Sequence, residues 1–162
     1  MLCAIKTHKV FLINTMSVNS TVEQHISTNP AVIANRLKQA GMRPTRQRIM
    51  LCQLLWLHPQ PRHVTAEKLH AESKEKGMKI SLATVYNTLH QLTEIGLLSK
   101  VVIESGKTHF DTNTGEHQHI VNEVTGEIMD LPQDSCILSA VNLPEGMALS
   151  TVDVVVRVRP EA

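Results

Sequence analysis

At 162 residues the chain has room for one ordinary domain or two small ones. Hydrophobic residues at 42% against 19% charged exclude a disordered tail, and aromatics at 2% mean that the core must be aliphatic. A net charge of +1 excludes indiscriminate, charge-driven coating of nucleic acid, and leaves sequence-directed binding to a local basic cluster.

Residues 1–29 carry no sustained periodicity and read as a flexible N-terminal extension, with Met16 an alternative start before a polar, Ser/Thr-rich stretch. The apolar run Val10–Ile13 is too short for a membrane span or a signal-peptide core, so a cytoplasmic protein with no membrane partner is expected. Cys3, Cys52 and Cys136 are far apart and form no CxxC pair, which argues against a disulfide framework and against a structural Cys-zinc site. Cys52 lies in an apolar run and is expected as a buried thiol.

From Ala31 the pattern turns helical: Val32, Ile33, Leu37 and Ala40 share a face, and Gly41 ends the run. Pro44 and Thr45 open a second helix whose residues Ile49–Leu57 are apolar almost all round, as in a central helix, until His58-Pro59-Gln60-Pro61 stops it. Thr65 caps a third helix with Ala66, Leu69 and Ser73 inward, ended by Gly77. Ser81 caps a fourth, in which Leu82, Val85, Leu89 and Leu92 form one narrow stripe before Gly96. The period then falls to two. Leu98–Ile103 and Lys107–Asp111 flank Glu104-Ser105-Gly106 as a hairpin.

Short helices followed directly by a hairpin are the layout of a winged helix-turn-helix, here over 30–112. A second module, 113–162, shows strands at His117–Glu123 and Glu127–Leu131 joined through Val124-Thr125-Gly126, and a short helix near 133–141. It ends in a strand with Val152, Val154, Val156 and Val158 on one face. The fold class is thus α+β: an N-terminal winged helix-turn-helix and a small α/β dimerisation module. About fifty residues bury too little surface alone, so the valine face is expected to be shared in a homodimer.

A recognition helix needs exposed polar residues near its N-terminus. Ser81, Thr84, Tyr86 and Asn87 meet that need, beside the small Ala83: Thr84 can meet a thymine methyl or a phosphate, Asn87 can pair with adenine, and the Tyr86 ring can pack on a thymine methyl. Arg43, Arg46 and Arg48 beside the second helix, and Lys107 on the wing, would anchor to double-stranded DNA through phosphates. An ordinary solvated helix face fits the same pattern equally well.

His117 and His119 leave one face of a strand, spaced to share a metal ion. A turn near Thr125-Gly126 would return Asp130 beside His119. Asp111 lies six residues before His117, and His63 would come from the first module. A His-x-His alone is more often a surface coincidence than a ligand pair.

The run Leu37–Arg48 (LKQAGMRPTRQR), together with His63-Val64-Thr65-Ala66-Glu67 and Ile80–Leu89 (ISLATVYNTL), resembles the ferric uptake regulator family, over roughly Leu37 to Asp130 and on to Arg159. The resemblance implies a regulatory metal site at His63, Asp111, His117, His119 and Asp130, in the variant with two aspartates. Three imidazoles and two carboxylates suit Fe(II) or Mn(II) and would accept Zn(II). Many members hold zinc in a CxxC after the His-x-His strand, where this chain has Asn122 and Thr125. Asn87 stands where the family usually carries arginine, a departure that implies a different operator and is most like the iron response regulator branch. That branch implies haem sensing, which without a Cys-Pro motif would fall to His117 or His119.

The expected function is control of iron- or haem-related genes through an AT-rich inverted repeat, with metal binding selecting one arrangement of the DNA-reading heads. No nucleophile or acid/base motif accompanies the cluster, so an enzyme is not expected. The alternatives are a winged-helix regulator that senses no metal and a peroxide sensor that oxidises a ligand histidine.

Overall fold

The computed structural model describes residues 27–102, 107–131, 143–148 and 154–161. Residues 1–26 of the N-terminal extension, Met16 among them, the turn at Glu104-Ser105-Gly106, the helix expected near 133–141, and Val152 lie outside these residues. Two compact units divide the chain between Glu116 and His117, compared with the 112/113 boundary drawn from the sequence.

In the first unit, helices α1 (Pro30–Gln39), α2 (Arg46–Leu55), α3 (Ala66–Glu75) and α4 (Leu82–Glu94) each begin at a polar cap. Asn29 Oδ1 accepts from the Ala31 N–H at 2.9 Å, Thr45 Oγ1 from Arg48 at 3.3 Å, Thr65 Oγ1 from Lys68 at 3.3 Å, and Ser81 Oγ from Thr84 at 3.2 Å. Each such cap stabilises its helix by about 1 kcal/mol. The α1 start at Asn29-Pro30 comes one residue before the apolar pattern begins.

Helices α1, α3 and α4 end alike. In α4 the Leu97 N–H reaches back to the Leu92 carbonyl at 2.8 Å across Gly96, whose φ of 71° is the left-handed conformation this closure requires. The α2 helix stops at Leu55. Trp56 caps it and is buried with the Arg36 guanidinium 5.6 Å from its ring centroid, whereas Leu57 is exposed, correcting the helix drawn through it.

The aliphatic core is continuous through Ile33 and Leu37 of α1, Leu51 and Leu55 of α2, Leu69 of α3, and Val85, Leu89 and Leu92 of α4. Phe110 is its one buried phenylalanine among the described residues. It lies on a three-stranded antiparallel sheet in the order β1-β3-β2, made of β1 (His63–Val64), β2 (Ser99–Val102) and β3 (Thr108–Asp111). The wing hairpin pairs Ser99 with Asp111 and Val102 with Thr108. The β1 strand was not visible in the sequence: it has two residues, and its partner lies far along the chain.

The second unit contains β4 (Gln118–Asn122), β5 (Ile128–Leu131) and β6 (Val155–Val158), in the order β5-β4-β6. The β4–β5 pair is the expected antiparallel hairpin, and β6 runs parallel to β4, with Val156 opposite Ile120. Its described core is thin, with Val121 and Ile128 buried. Val154 and Val156 are half-buried, but Val158 is exposed rather than continuing that face inward. No helix among the described residues is long and apolar enough to cross a membrane.

Candidate functional site

The first unit sets a histidine and an aspartate against each other across a ladder. β1 pairs with β3 so that His63 lies opposite Asp111, and His63 Nε2 is 3.3 Å from Asp111 Oδ2. Both side chains are almost sealed from water, at 4% and 0% exposure. A carboxylate in such a place is costly unless cations or hydrogen-bond donors compensate it. One donor is the Asn113 N–H, 2.8 Å from Asp111 Oδ1.

The neighbourhood is built to be rigid. Arg62, preceding His63, exchanges two hydrogen bonds with Thr112: its N–H donates to Thr112 Oγ1 at 2.9 Å and its carbonyl accepts from the Thr112 N–H at 3.2 Å. The Arg62 guanidinium donates to the Leu54 carbonyl at the end of α2 at 3.0 Å and to Glu72 of α3 at 2.6 Å. His109 stands two residues before Asp111, on the same face of β3. Burial lowers its imidazole below the usual histidine range, although a hydrogen bond with the Lys107 backbone opposes this. His109 was not singled out in the sequence, because an isolated histidine at strand spacing carries no signal of its own.

The second unit gathers three donors. His117 and His119 are rung neighbours of one strand side, with ring centroids 4.4 Å apart and planes at 65°. The β4–β5 register sets Asp130 opposite His119, as the turn near Gly126 implied, and His117 Nε2 lies 3.4 Å from Asp130 Oδ1. One ligand atom from each of the three lies within 4.8 Å of the other two. The turn between the strands is held by Asn122, whose Oδ1 accepts from the Val124 and Thr125 N–H groups at 2.9 and 3.2 Å.

These separations suit a shared cation. Two donors bound to one metal at roughly 2.0–2.2 Å stand roughly 3 to 3.5 Å apart. The 3.3 Å pair and the 3.4 Å pair both fall in that range. Imidazole nitrogen and carboxylate oxygen without thiolate are the donors that Fe(II), Mn(II) and Zn(II) accept.

The candidate DNA-reading residues lie on or just before α2 and α4, with Lys107 just before β3. Ala83 and Asn87 are exposed on α4, with Thr84 and Tyr86 half-buried. Ser81 and Thr84 are partly spent on the cap, their hydroxyls 2.9 Å apart. Arg43 and Arg46 are exposed. Arg48 is half-buried, donating to the Arg43 carbonyl at 2.7 Å and to Gln91 Oε1, so it ties α2 to α4. Lys107 is exposed at the start of β3.

Tyr86 has a neighbour that the sequence did not disclose. Its hydroxyl donates a hydrogen bond to Glu67 Oε1 of α3. That bond is the main reason that the Glu67 carboxyl is held below, and the Tyr86 phenol above, its ordinary range. The Tyr86 ring is stacked near His90 at 6.4 Å and 18°, and His90 meets Phe110 edge-on at 5.4 Å and 88°.

A family model described as the ferric uptake regulator family matches residues 39–157. A ferric uptake regulation protein of Vibrio cholerae is 33% identical over 99 residues, covering 60% of this chain and 65% of that protein's own length. The chain thus spans just under two thirds of this curated relative. Among solved structures, a ferric uptake regulator from Pseudomonas aeruginosa with manganese is 26% identical, with a TM-score of 0.58, covering 79% of this chain and 97% of that one. A Campylobacter jejuni peroxide stress regulator is 27% identical, with a TM-score of 0.52, covering 82% of this chain and 96% of that one.

Proposed function

The chain belongs to the ferric uptake regulator family, and on that premise we propose that it is a metal-responsive, DNA-binding transcription regulator, acting as a cytoplasmic homodimer and not as an enzyme. The observation that carries the reading is the pairing of His63 with Asp111 and of His117 with Asp130 at separations a divalent ion bridges. We assign His63, Asp111, His117, His119 and Asp130 as ligands of one regulatory ion, Fe(II) or Mn(II), which when bound supplies the positive charge and directed bonds that balance two carboxylates. The manganese in the Pseudomonas aeruginosa structure supports the choice of metal.

The chain's own residues supply the rest. His63 and Asp111 sit on the strands that support the wing and precede α3, so whatever orders that pair also orders the frame of α4. Asn87, Thr84, Ala83 and Tyr86 read an AT-rich inverted repeat, with Arg43, Arg46 and Lys107 anchoring phosphates. The small size of the second unit, too few residues to bury a sizeable core alone, supports dimerisation through that unit.

Iron- and haem-linked genes are the proposed targets. The branch with asparagine in place of the arginine after the tyrosine points to haem as a competing effector. Ring centroids of 4.4 Å limit that role: two imidazoles on opposite faces of one haem need roughly 6 Å between centroids. Haem would therefore take one of His117 and His119, not both, in this arrangement.

The test is anisotropy binding to an AT-rich inverted-repeat duplex in chelator, in Mn(II) and in ferric haem. Tighter binding in Mn(II) and weaker binding in haem is the expected result. Equal affinity in all three would leave a DNA-binding protein whose histidine cluster is not its sensor. Peroxide sensing is the second reading, favoured by the two-aspartate donor set and the likeness to the Campylobacter jejuni regulator. Oxygen addition to His63 or His117 after iron and peroxide, seen by mass spectrometry, would support it.

A further inference from the structure

We propose that Glu67 decides what Tyr86 reads: by taking the phenol proton in a hydrogen bond, it leaves Tyr86 its apolar ring edge, suited to a thymine methyl, and removes its capacity to donate to a phosphate or a base acceptor. The inference rests on the reading of α4 as the recognition helix and deepens it. Glu67 is a positioning residue, on α3 and exposed, and its own partner is on α4.

Three observations carry it. First, a tyrosine hydroxyl has one proton, and here it is committed to Glu67 Oε1, so the oxygen can accept further bonds but not give one. Second, the ring is held at two points, by that bond and by the near-parallel His90 ring at 6.4 Å, which itself rests edge-on against buried Phe110 at 5.4 Å. A half-buried tyrosine fixed in this way is ordered before any duplex arrives, which removes part of the cost of ordering it on binding. Third, Glu67 is the acidic residue in the first turn of α3, whose N-terminus favours a carboxylate, and Lys107 of the wing is a further cation acting on it. The carboxylate is thus kept in its accepting form at neutral pH.

The consequence is selectivity rather than strength. The major groove offers one apolar group, the thymine methyl, among many acceptors. A donating tyrosine would be drawn to the acceptors and to phosphate. One whose proton is occupied discriminates by contact with the methyl, an effect worth roughly fourfold in affinity for one buried carbon.

The experiment uses the full chain with Mn(II) and an inverted-repeat duplex selected from a random library by the wild-type protein, each thymine being replaced in turn by uracil, which lacks only the methyl. The wild type is expected to lose about three- to fivefold at one thymine of each half-site. Tyr86→Ala and Glu67→Ala should each erase that loss, and Glu67→Gln, whose amide oxygen still accepts from the phenol, should restore it. If Glu67→Ala keeps the uracil penalty that Tyr86→Ala erases, Tyr86 reads the methyl unaided and the proposal is overturned while the recognition-helix reading stands. A Glu67→Gln protein that behaves like Glu67→Ala overturns it as well, because charge rather than acceptance would be responsible. If no uracil matters to the wild type, or Tyr86→Ala keeps the penalty, the assignment of Tyr86 as a reader falls and the proposal with it. Circular dichroism confirms folding of each variant.

Discussion

His63 and Asp111 face each other across the short β1–β3 ladder, the imidazole Nε2 3.3 Å from the carboxylate Oδ2, in a place where almost no water reaches either. The pair is held by Arg62 and Thr112 on one side and by the Asn113 N–H on the other. Asp111→Asn keeps the shape and removes the charge. It is expected to weaken Mn(II) binding on the order of 100-fold, judged from the 10–100-fold cost of losing even a supporting partner. Competition with a chelator measures it, and Mn(II) affinity within a few-fold of wild type would remove Asp111 from the ligand set.

Phe110 is fully buried, between the helical core and the His90 edge. Phe110→Ala should destabilise the first unit by about 3–5 kcal/mol, the range for a truncated buried aromatic. Urea unfolding followed by circular dichroism gives the value, and a cost below about 1 kcal/mol would mean that the site collapses around the cavity.

The Glu67–Tyr86 bond has a pH window with two edges. The folded Glu67 carboxyl titrates below its unfolded value, so its contribution is present above the ordinary carboxylate range and fades as pH falls through the folded value. The folded Tyr86 phenol titrates above its unfolded value, so its contribution is complete below the ordinary phenol range and is lost as pH rises through the folded value. The stability difference between wild type and Glu67→Gln should therefore be flat near neutrality and shrink in acid. A difference that grows in acid would contradict the sign.

Cys52 is buried on α2, and burial pushes its thiol up to about 12. It should resist alkylation at about pH 8, where an ordinary thiol with a pKa near 8.5 reacts readily. Peptide mapping after iodoacetamide, with and without denaturant, distinguishes Cys52 from Cys3 and Cys136. Rapid labelling of Cys52 in the native protein would show that the core around α2 opens.

Much of the first unit was legible because its signals are local. Thr45, Thr65 and Ser81 announce helix starts, Gly41, Gly77 and Gly96 announce ends, and the Leu82–Val85–Leu89–Leu92 stripe gives the buried face of α4. His119 and Asp130 could be set opposite each other because the hairpin that pairs them is short. What escaped notice depends on distant partners. The β1 strand exists through its pairing with β3, the Arg48 guanidinium turns to Gln91 of α4 rather than standing wholly clear for phosphate, and Glu67 finds Tyr86 across the α3–α4 packing. The parallel placement of β6 beside β4 is likewise a matter of topology, to which an alternating valine pattern is blind.

The turn after β4 has a practical consequence. Asn122 closes it with its side-chain oxygen on two backbone N–H groups, Thr125 Oγ1 adds a third from Glu127 at 3.2 Å, and the Gly126 N–H reaches the Asn122 carbonyl at 2.7 Å. These fastenings are amides and hydroxyls, groups that a chelator does not extract. Treatment with a strong chelator should therefore leave this corner of the scaffold in place, so that a metal-free sample could be prepared, stored and reloaded without refolding the turn.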